Sequence, residues 1–241
     1  MSRKIPVVAL LLGALTLACN EGTGPSLEND ALQTAVVPDG ALNHLKWATS
    51  DAPRQFTAVG AARDSEILMS TAASLDGTSV SAMDAYKVSF WAVKGEDRSI
   101  QINYVTQTNS GYVTSPYLRF EVPAEALDEG PNGEEYETGD SVRIYIRVDP
   151  TDMVAHYYPS GLQFDDDDPA VLTVWYTDAD DDFNGDGYVN EKDAYIEANL
   201  LGIWTQQNTY DQWYRLSAQQ SLAERWFKAS IEHFSGYAVS W

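Results

Sequence analysis

Oxygen-bearing side chains recur at alternating positions in the segment DFNGDGYVNEKD, which spans residues 182–193. Calcium is a hard cation that takes six to eight oxygen ligands, and short side chains from alternate loop positions can converge on it with one backbone carbonyl. Gly187, at loop position six, permits the sharp turn that closes such a cage. The spacing therefore predicts a Ca²⁺ site whose ligands are Asp182, Asn184, Asp186, the backbone carbonyl of Tyr188, Asn190 and Asp193.

The last ligand position of this loop is Asp193, where a sensor EF-hand has a bidentate glutamate. In this respect the loop resembles the dockerin version of the EF-hand loop. The chain departs from dockerins because it holds no second copy, and an apolar strand pattern rather than a helix leads into the loop. We therefore expect a lone calcium loop with an exit helix, of weak affinity, about 10⁻⁴ to 10⁻³ M. The alternative is an acidic surface turn that binds no metal.

Acidic residues are dense around this loop. Nine acids fall within residues 165–186, among them the run from Asp165 to Asp168. Bound calcium would offset their mutual repulsion and stabilise the fold in proportion to its occupancy. For the run of four aspartates itself, a solvated turn is the favoured interpretation.

The elements that position the loop are short runs rich in β-branched and aromatic residues. From Tyr86 onward they are YKVSFWAV, SIQINYV, YLRFEV, SVRIYIRV, VAHYY, AVLTVWYT, QWYRLS, RWFKASI and GYAVSW. Turn signals separate them, as is typical of an all-β, immunoglobulin-like antiparallel β-sandwich, either one large or two small. In the fourth run, Val142, Ile144, Ile146 and Val148 alternate with Arg143, Tyr145 and Arg147, which predicts one core face and one solvent face.

One helix interrupts the strands. Ile196, Leu200, Leu201 and Trp204 have the spacing of a single buried helical face, which predicts a helix from Asn190 to about Trp204.

The N-terminal region has a different character. Residues 1–18 carry Arg3 and Lys4 followed by an apolar stretch shorter than the ~20 residues that span a membrane, which is typical of a signal peptide. Cys19 follows at once and resembles the acylated cysteine of a bacterial lipoprotein, although Thr16 and Leu17 depart from the usual motif. The resemblance implies a lipid anchor at Cys19 and, because Asn20 replaces a retention aspartate, passage to the outer membrane. The alternative is an ordinary secretory signal.

Three regions are therefore predicted. The signal peptide covers residues 1–18, a low-complexity tether with at most short ordered pieces covers 19–83, and the β-sandwich region covers 84–241.

Net charge, cysteine content and histidine spacing argue against several classes of partner and site. The formal net charge of −21 would repel nucleic acid and anionic membrane surfaces. Cys19 is the only cysteine, so acylation would leave no disulfide. The three histidines form no pair at the spacing of metal ligands, which argues against a zinc site.

Residues 117–241 resemble the ZU-five-like β-sandwich of ankyrins, netrin receptors and bacterial surface proteins. The positions that carry the resemblance are Pro159, Gly161, Leu162, Phe164, Pro169, Leu172, Tyr176, Trp213, Leu216, His233, Phe234, Ser235 and Tyr237. The resemblance implies a domain that mediates protein contacts and has no metabolic active site.

One tripeptide in this region could do chemistry. His233, Phe234 and Ser235 match the strand-end motif at which some relatives cut their own chain, with imidazole as base and serine as nucleophile. The favoured interpretation is structural, with Phe234 in the core. We thus expect a membrane-anchored, calcium-binding, non-enzymatic lipoprotein of the cell envelope that contacts another protein or an envelope component. The alternatives are a carbohydrate-binding accessory module and a self-cleaving domain.

Overall fold

The fold is a two-sheet antiparallel sandwich in a computed structural model that describes residues 42–45, 47, 55–60, 72–75, 78–82, 87–108, 111–149, 152–207 and 211–241. Its strands in chain order are β1 (Gln55–Gly60), β2 (Ala72–Leu75), β3 (Thr78–Ala82), β4 (Lys87–Val93), β5 (Arg98–Thr108), β6 (Gly111–Val122), β7 (Ser141–Asp149), β8 (Val154–Tyr158), β9 (Ala170–Trp175), β10 (Gly202–Gln206), β11 (Tyr214–Arg215), β12 (Gln219–Ser221), β13 (Trp226–Ile231) and β14 (Gly236–Ser240).

The strands form two sheets. The larger has the order β12-β13-β9-β6-β5-β1-β3-β2, and the smaller has the order β11-β10-β14-β8-β7-β4. Every strand pairing is antiparallel, and the register shifts once in the β5-β6 hairpin, between Ile102 and Asn103. The β-sandwich predicted from the sequence is confirmed.

Both sheets bury their inner faces in one shared core. Phe120 of β6 contacts Tyr157 of β8 at 5.1 Å between ring centroids and Phe90 of β4 at 6.4 Å, so aromatic rings interlock across the sheets. Because β1, β4 to β10, β13 and β14 all contribute residues to this single core, they form one sandwich rather than two. The predicted alternation in β7 is confirmed from Ile144 to Val148: Ile144, Ile146 and Val148 are buried, whereas Tyr145 and Arg147 are exposed. Val142 and Arg143 are both half-buried.

The helix after the loop is shorter than the sequence predicts. It consists of α1 (Glu191–Tyr195) and one π-helical turn (Ile196–Leu200). Trp204 lies in β10, where it pairs with Ala238 of β14, so the predicted helix to Trp204 is wrong at its C-terminal end. Pairing with an existing strand outweighed the helical spacing of Leu200, Leu201 and Trp204.

Ordered structure also begins before residue 84. Strand β1 pairs with β5 along its full length, and β3 and β2 extend the same sheet. Further upstream, Trp47 is buried against Tyr117 at 5.6 Å between ring centroids. The segment predicted as a tether with at most short ordered pieces therefore includes strands that belong to the sandwich.

Candidate metal centre

The predicted calcium loop connects β9 to α1. Its first ligand position, Asp182, accepts hydrogen bonds through both carboxylate oxygens: Oδ1 from the Asp186 N–H at 3.1 Å and Oδ2 from the Gly187 N–H at 2.7 Å. Gly187 has φ +87°, a left-handed conformation that glycine adopts without strain. The loop thus curls back on the side chain of its first residue.

The next ligand positions make hydrogen bonds to partners only two residues away along the chain. Asn184 Oδ1 accepts from the Asp186 N–H at 2.8 Å, and Asp186 Oδ1 accepts from the Tyr188 N–H at 3.0 Å. The Tyr188 carbonyl accepts from the Asn190 side-chain amide at 3.0 Å. Each of these oxygens stabilises a turn of the loop itself.

Asp193 closes the loop onto the start of α1. Its Oδ1 accepts from the Asn184 N–H at 3.2 Å and its Oδ2 from the Asn190 N–H at 2.9 Å, while Asn190 caps the helix by accepting from the Lys192 N–H. This reciprocal arrangement of Asn190 and Asp193 is a capping box. Burial disfavours the charged form of the Asp193 carboxyl, but the backbone hydrogen bonds from Asn190 and Asn184 outweigh it and lower its pKa.

All six predicted ligand residues lie in one short loop, as their spacing in the sequence requires. Their chemistry fits calcium, because every donor is a hard oxygen. In the part of the chain that the structure describes, no three His, Cys, Asp or Glu side chains are arranged as a metal cage. The carboxylates of Asp182 and Asp193 instead face backbone N–H groups.

Arg225 fastens this loop region to the sandwich. Its Nη1 lies 2.9 Å from Asp181 Oδ1, one residue before the loop, and its Nε lies 3.3 Å from Glu197 in the exit helix. Its guanidinium also stacks on Tyr176 at 5.1 Å and faces Phe183 at 5.9 Å. No spacing signal in the sequence marks this arginine, because its partners are distant along the chain.

The aspartate run forms a turn, in agreement with the favoured interpretation. Asp165 Oδ1 accepts from the N–H groups of Asp167 at 2.7 Å and Asp168 at 3.3 Å. Three of these aspartates line a cleft of about 420 Å³ together with Asp128, Glu232 and His233.

The residues proposed for self-cleavage lie near the start of β14. Phe234 is buried among aromatic rings and lies 5.1 Å from Phe164. The Ser235 hydroxyl is hydrogen-bonded to the Thr205 hydroxyl, and the Tyr237 hydroxyl donates to the His233 carbonyl at 2.6 Å. Burial raises the pKa of Tyr237 to about 12. Phe234 therefore lies in the core, as the structural interpretation of the tripeptide expects.

The remaining predicted site, the acylated Cys19, lies outside the described residues, as do residues 1–18. Among the residues that are described, no helix combines the length and apolar character needed to cross a membrane.

Comparison with known proteins returned no relatives. No protein-family model matches this chain, and neither the curated proteins nor the solved structures include a match.

Proposed function

We propose that this protein is a calcium-stabilised, lipid-anchored β-sandwich that makes contacts in the cell envelope and has no enzymatic activity. The observation that carries the proposal is the loop of residues 182–193. In this loop the Asp182 carboxylate accepts hydrogen bonds from two backbone N–H groups, and the Asp193 carboxylate accepts one from the residue that caps the exit helix. These hydrogen bonds order the loop in which the predicted ligands lie.

Calcium would be held by Asp182, Asn184, Asp186, the Tyr188 carbonyl, Asn190 and Asp193. When bound, the ion supplies positive charge within a strongly acidic segment and so reduces repulsion between neighbouring carboxylates. Side-chain hydrogen bonds stabilise the loop. Arg225, just before β13, connects the loop to the sandwich through its ion pair with Asp181 and its contact with the ring of Tyr176, just after β9. The function of the ion in this proposal is stability rather than chemistry.

Exposed apolar side chains near the loop support a contact function. The exposed fractions of Tyr188, Val189 and Tyr195 are 75%, 69% and 59%. Large apolar side chains so accessible are uncommon in groups and mark interaction surfaces. If calcium orders the loop, and an envelope protein binds these side chains only in the ordered loop, then binding of that protein depends on calcium.

The test is a calcium titration by calorimetry, with thermal melting, of the full-length chain in mild detergent. We expect one saturable site and a melting temperature that rises with calcium, both abolished in Asp182→Ala/Asp186→Ala. The matched control is Asp166→Ala/Asp167→Ala, which removes two exposed charges from the other aspartate turn. Neither heat nor a melting shift at millimolar calcium would reject the calcium site.

Self-cleavage is tested separately by the intact mass of the purified chain. The structural interpretation predicts a mass without a cut between Phe234 and Ser235. A fragment ending at Phe234 would contradict the non-enzymatic proposal.

A further inference from the structure

The solvent face of the smaller sheet carries a compact group of aromatic and cationic side chains. On β4 these are Trp91 and Lys87, on β7 they are Arg143, Tyr145 and Arg147, and on β8 it is Tyr158. Strand register places them in three successive rows: Trp91 opposite Arg143, Ser89 opposite Tyr145 and Tyr158, and Lys87 opposite Arg147 and His156. We call this surface the aromatic-cationic face.

Its charge is opposite to that of the chain as a whole. Acids outnumber Lys and Arg by 36 to 15, yet none of the outward positions in these three rows is Asp or Glu. The nearest acid along β7 is Asp149, one row further on. A small ligand centred on these rows would lie closer to the three cations than to Asp149, and exposed charges beyond about 10 Å are largely screened.

The aromatic rings are accessible and partly held in place. Exposed fractions are 37% for Trp91 and 44% for both Tyr145 and Tyr158. The Arg143 guanidinium stacks on the Tyr145 ring at 4.9 Å and donates to the Ser89 hydroxyl from Nε at 3.2 Å and from Nη2 at 3.0 Å. A ring that is fixed before binding loses less conformational entropy when a ligand stacks on it.

The size of the face favours a small ligand. Three strands about 4.8 Å apart and three rows about 6.8 Å apart cover on the order of 300 Å². A stable protein-protein interface takes about 800 Å² from each partner, well above that area. A long, densely charged nucleic acid would also extend beyond the face into the field of the net −21 chain.

We propose that the aromatic-cationic face binds a short acidic oligosaccharide, whose sugar rings stack on Trp91, Tyr145 and Tyr158 and whose anionic groups pair with Lys87 and Arg147. This proposal rests on the envelope-contact function above and names a ligand class for it, but it requires no calcium. Aromatic side chains offer an apolar face to the C–H surface of a sugar, and exposed cations select the charged sugar over the neutral one.

The experiment is calorimetry of the full-length chain with tetragalacturonate and with a sulfated chondroitin tetrasaccharide, at low salt and in EDTA. The fully methyl-esterified tetragalacturonate is the neutral comparison, because its rings are the same and its charges are absent. We expect saturable binding of at least one acidic tetrasaccharide, roughly tenfold weaker for the methyl ester and weakened further by salt. EDTA separates this result from the calcium titration, so either proposal can fail alone.

Variants locate the site. Tyr145→Ala and Lys87→Ala should each weaken binding by roughly five- to tenfold. The controls Leu222→Ala and Lys228→Ala remove an exposed apolar side chain and an exposed lysine from other parts of the chain and should leave binding unchanged. Three results would each overturn the proposal: no binding of either acidic tetrasaccharide, equal binding of the methyl ester, or undiminished sugar binding in both Tyr145→Ala and Lys87→Ala.

Discussion

Arg225 Nη1 lies 2.9 Å from Asp181 Oδ1, and this ion pair connects the entrance of the acidic loop to the turn before β13. Arg225 itself has a φ of +52°, a conformation that is costly for a residue with a side chain. The backbone strain persists because the side chain reaches Glu197, Asp181 and Tyr176 from that position. The arginine thus links the loop, its exit helix and the end of β9.

Replacement of Arg225 separates the contribution of its side-chain contacts from the cost of its positive φ. Arg225→Ala should lower the free energy of unfolding by about 2 kcal/mol, because the half-buried guanidinium contacts are lost and the strain remains. Arg225→Gly should be less harmful by about 1 kcal/mol, because glycine relieves the positive φ. Urea unfolding measures both. Equal losses in the two variants would show that the backbone at this position carries no strain.

Gly187 has a positive φ within the candidate calcium loop of residues 182–193. Nothing lies within 4 Å of a Cβ added there, so Gly187→Ala tests backbone conformation without a steric clash. At φ +87° we expect a loss of about 1–2 kcal/mol in stability and a weaker calcium affinity. Gly187→Asn should lose less, because asparagine tolerates this region better. Calorimetry and urea unfolding check both variants, and an unaffected calcium affinity in Gly187→Ala would contradict the loop geometry.

The Asp193 carboxylate gives stability a pH dependence. Its folded pKa is lowered, so its contribution is present above the unfolded pKa near 4 and is lost as pH falls through the folded pKa. In EDTA, Asp193→Asn should therefore melt below the wild type at pH 7, and the difference should shrink below about pH 4. Thermal melting measures this, with Asp166→Asn as the exposed control. A difference that does not depend on pH would assign the effect to shape rather than to charge.

Two buried tyrosines differ in whether their hydroxyl groups are paired. The Tyr117 hydroxyl donates to the Met153 carbonyl at 2.7 Å, whereas the Tyr157 hydroxyl has no hydrogen-bond partner among the described residues. Burial also raises the pKa of Tyr157 well above its ordinary value. Tyr117→Phe should destabilise by about 1–2 kcal/mol, while Tyr157→Phe should be neutral or stabilise by up to about 1 kcal/mol. Equal destabilisation in urea unfolding would show that Tyr157 is paired.

The strands that were predicted correctly are those in which apolar residues alternate or cluster strongly. Strand β7 shows this best, because its buried and exposed positions follow directly from Ile144, Tyr145 and Ile146. Strands β1 to β3 consist largely of Ala, Ser and Thr, and the stretch around them has no sustained periodicity. Their place in the sheet depends on pairing with β5, which no local pattern reveals.

The same limit applies to the sites. Loop spacing alone located the six candidate calcium ligands, since they lie within twelve positions of one another. The proximity of Trp91 to Arg143, or of Tyr145 to Tyr158, is a consequence of strand register. A prediction from one sequence can assign Arg143 and Tyr145 to a solvent face, but it cannot tell which side chains of other strands lie beside them.

The segment around Asn43 runs beside the end of β14. The Asn43 N–H donates to the Trp241 carbonyl at 3.2 Å, and the Ser240 hydroxyl donates to the Asn43 carbonyl at 2.7 Å. Residues 43–44 and 240–241 therefore run antiparallel to each other. A pulling force applied between Asn43 and Trp241 would act across these hydrogen bonds and break them one after another. It would not load them all at the same time. Hydrogen bonds loaded one at a time separate at a lower force than hydrogen bonds loaded together.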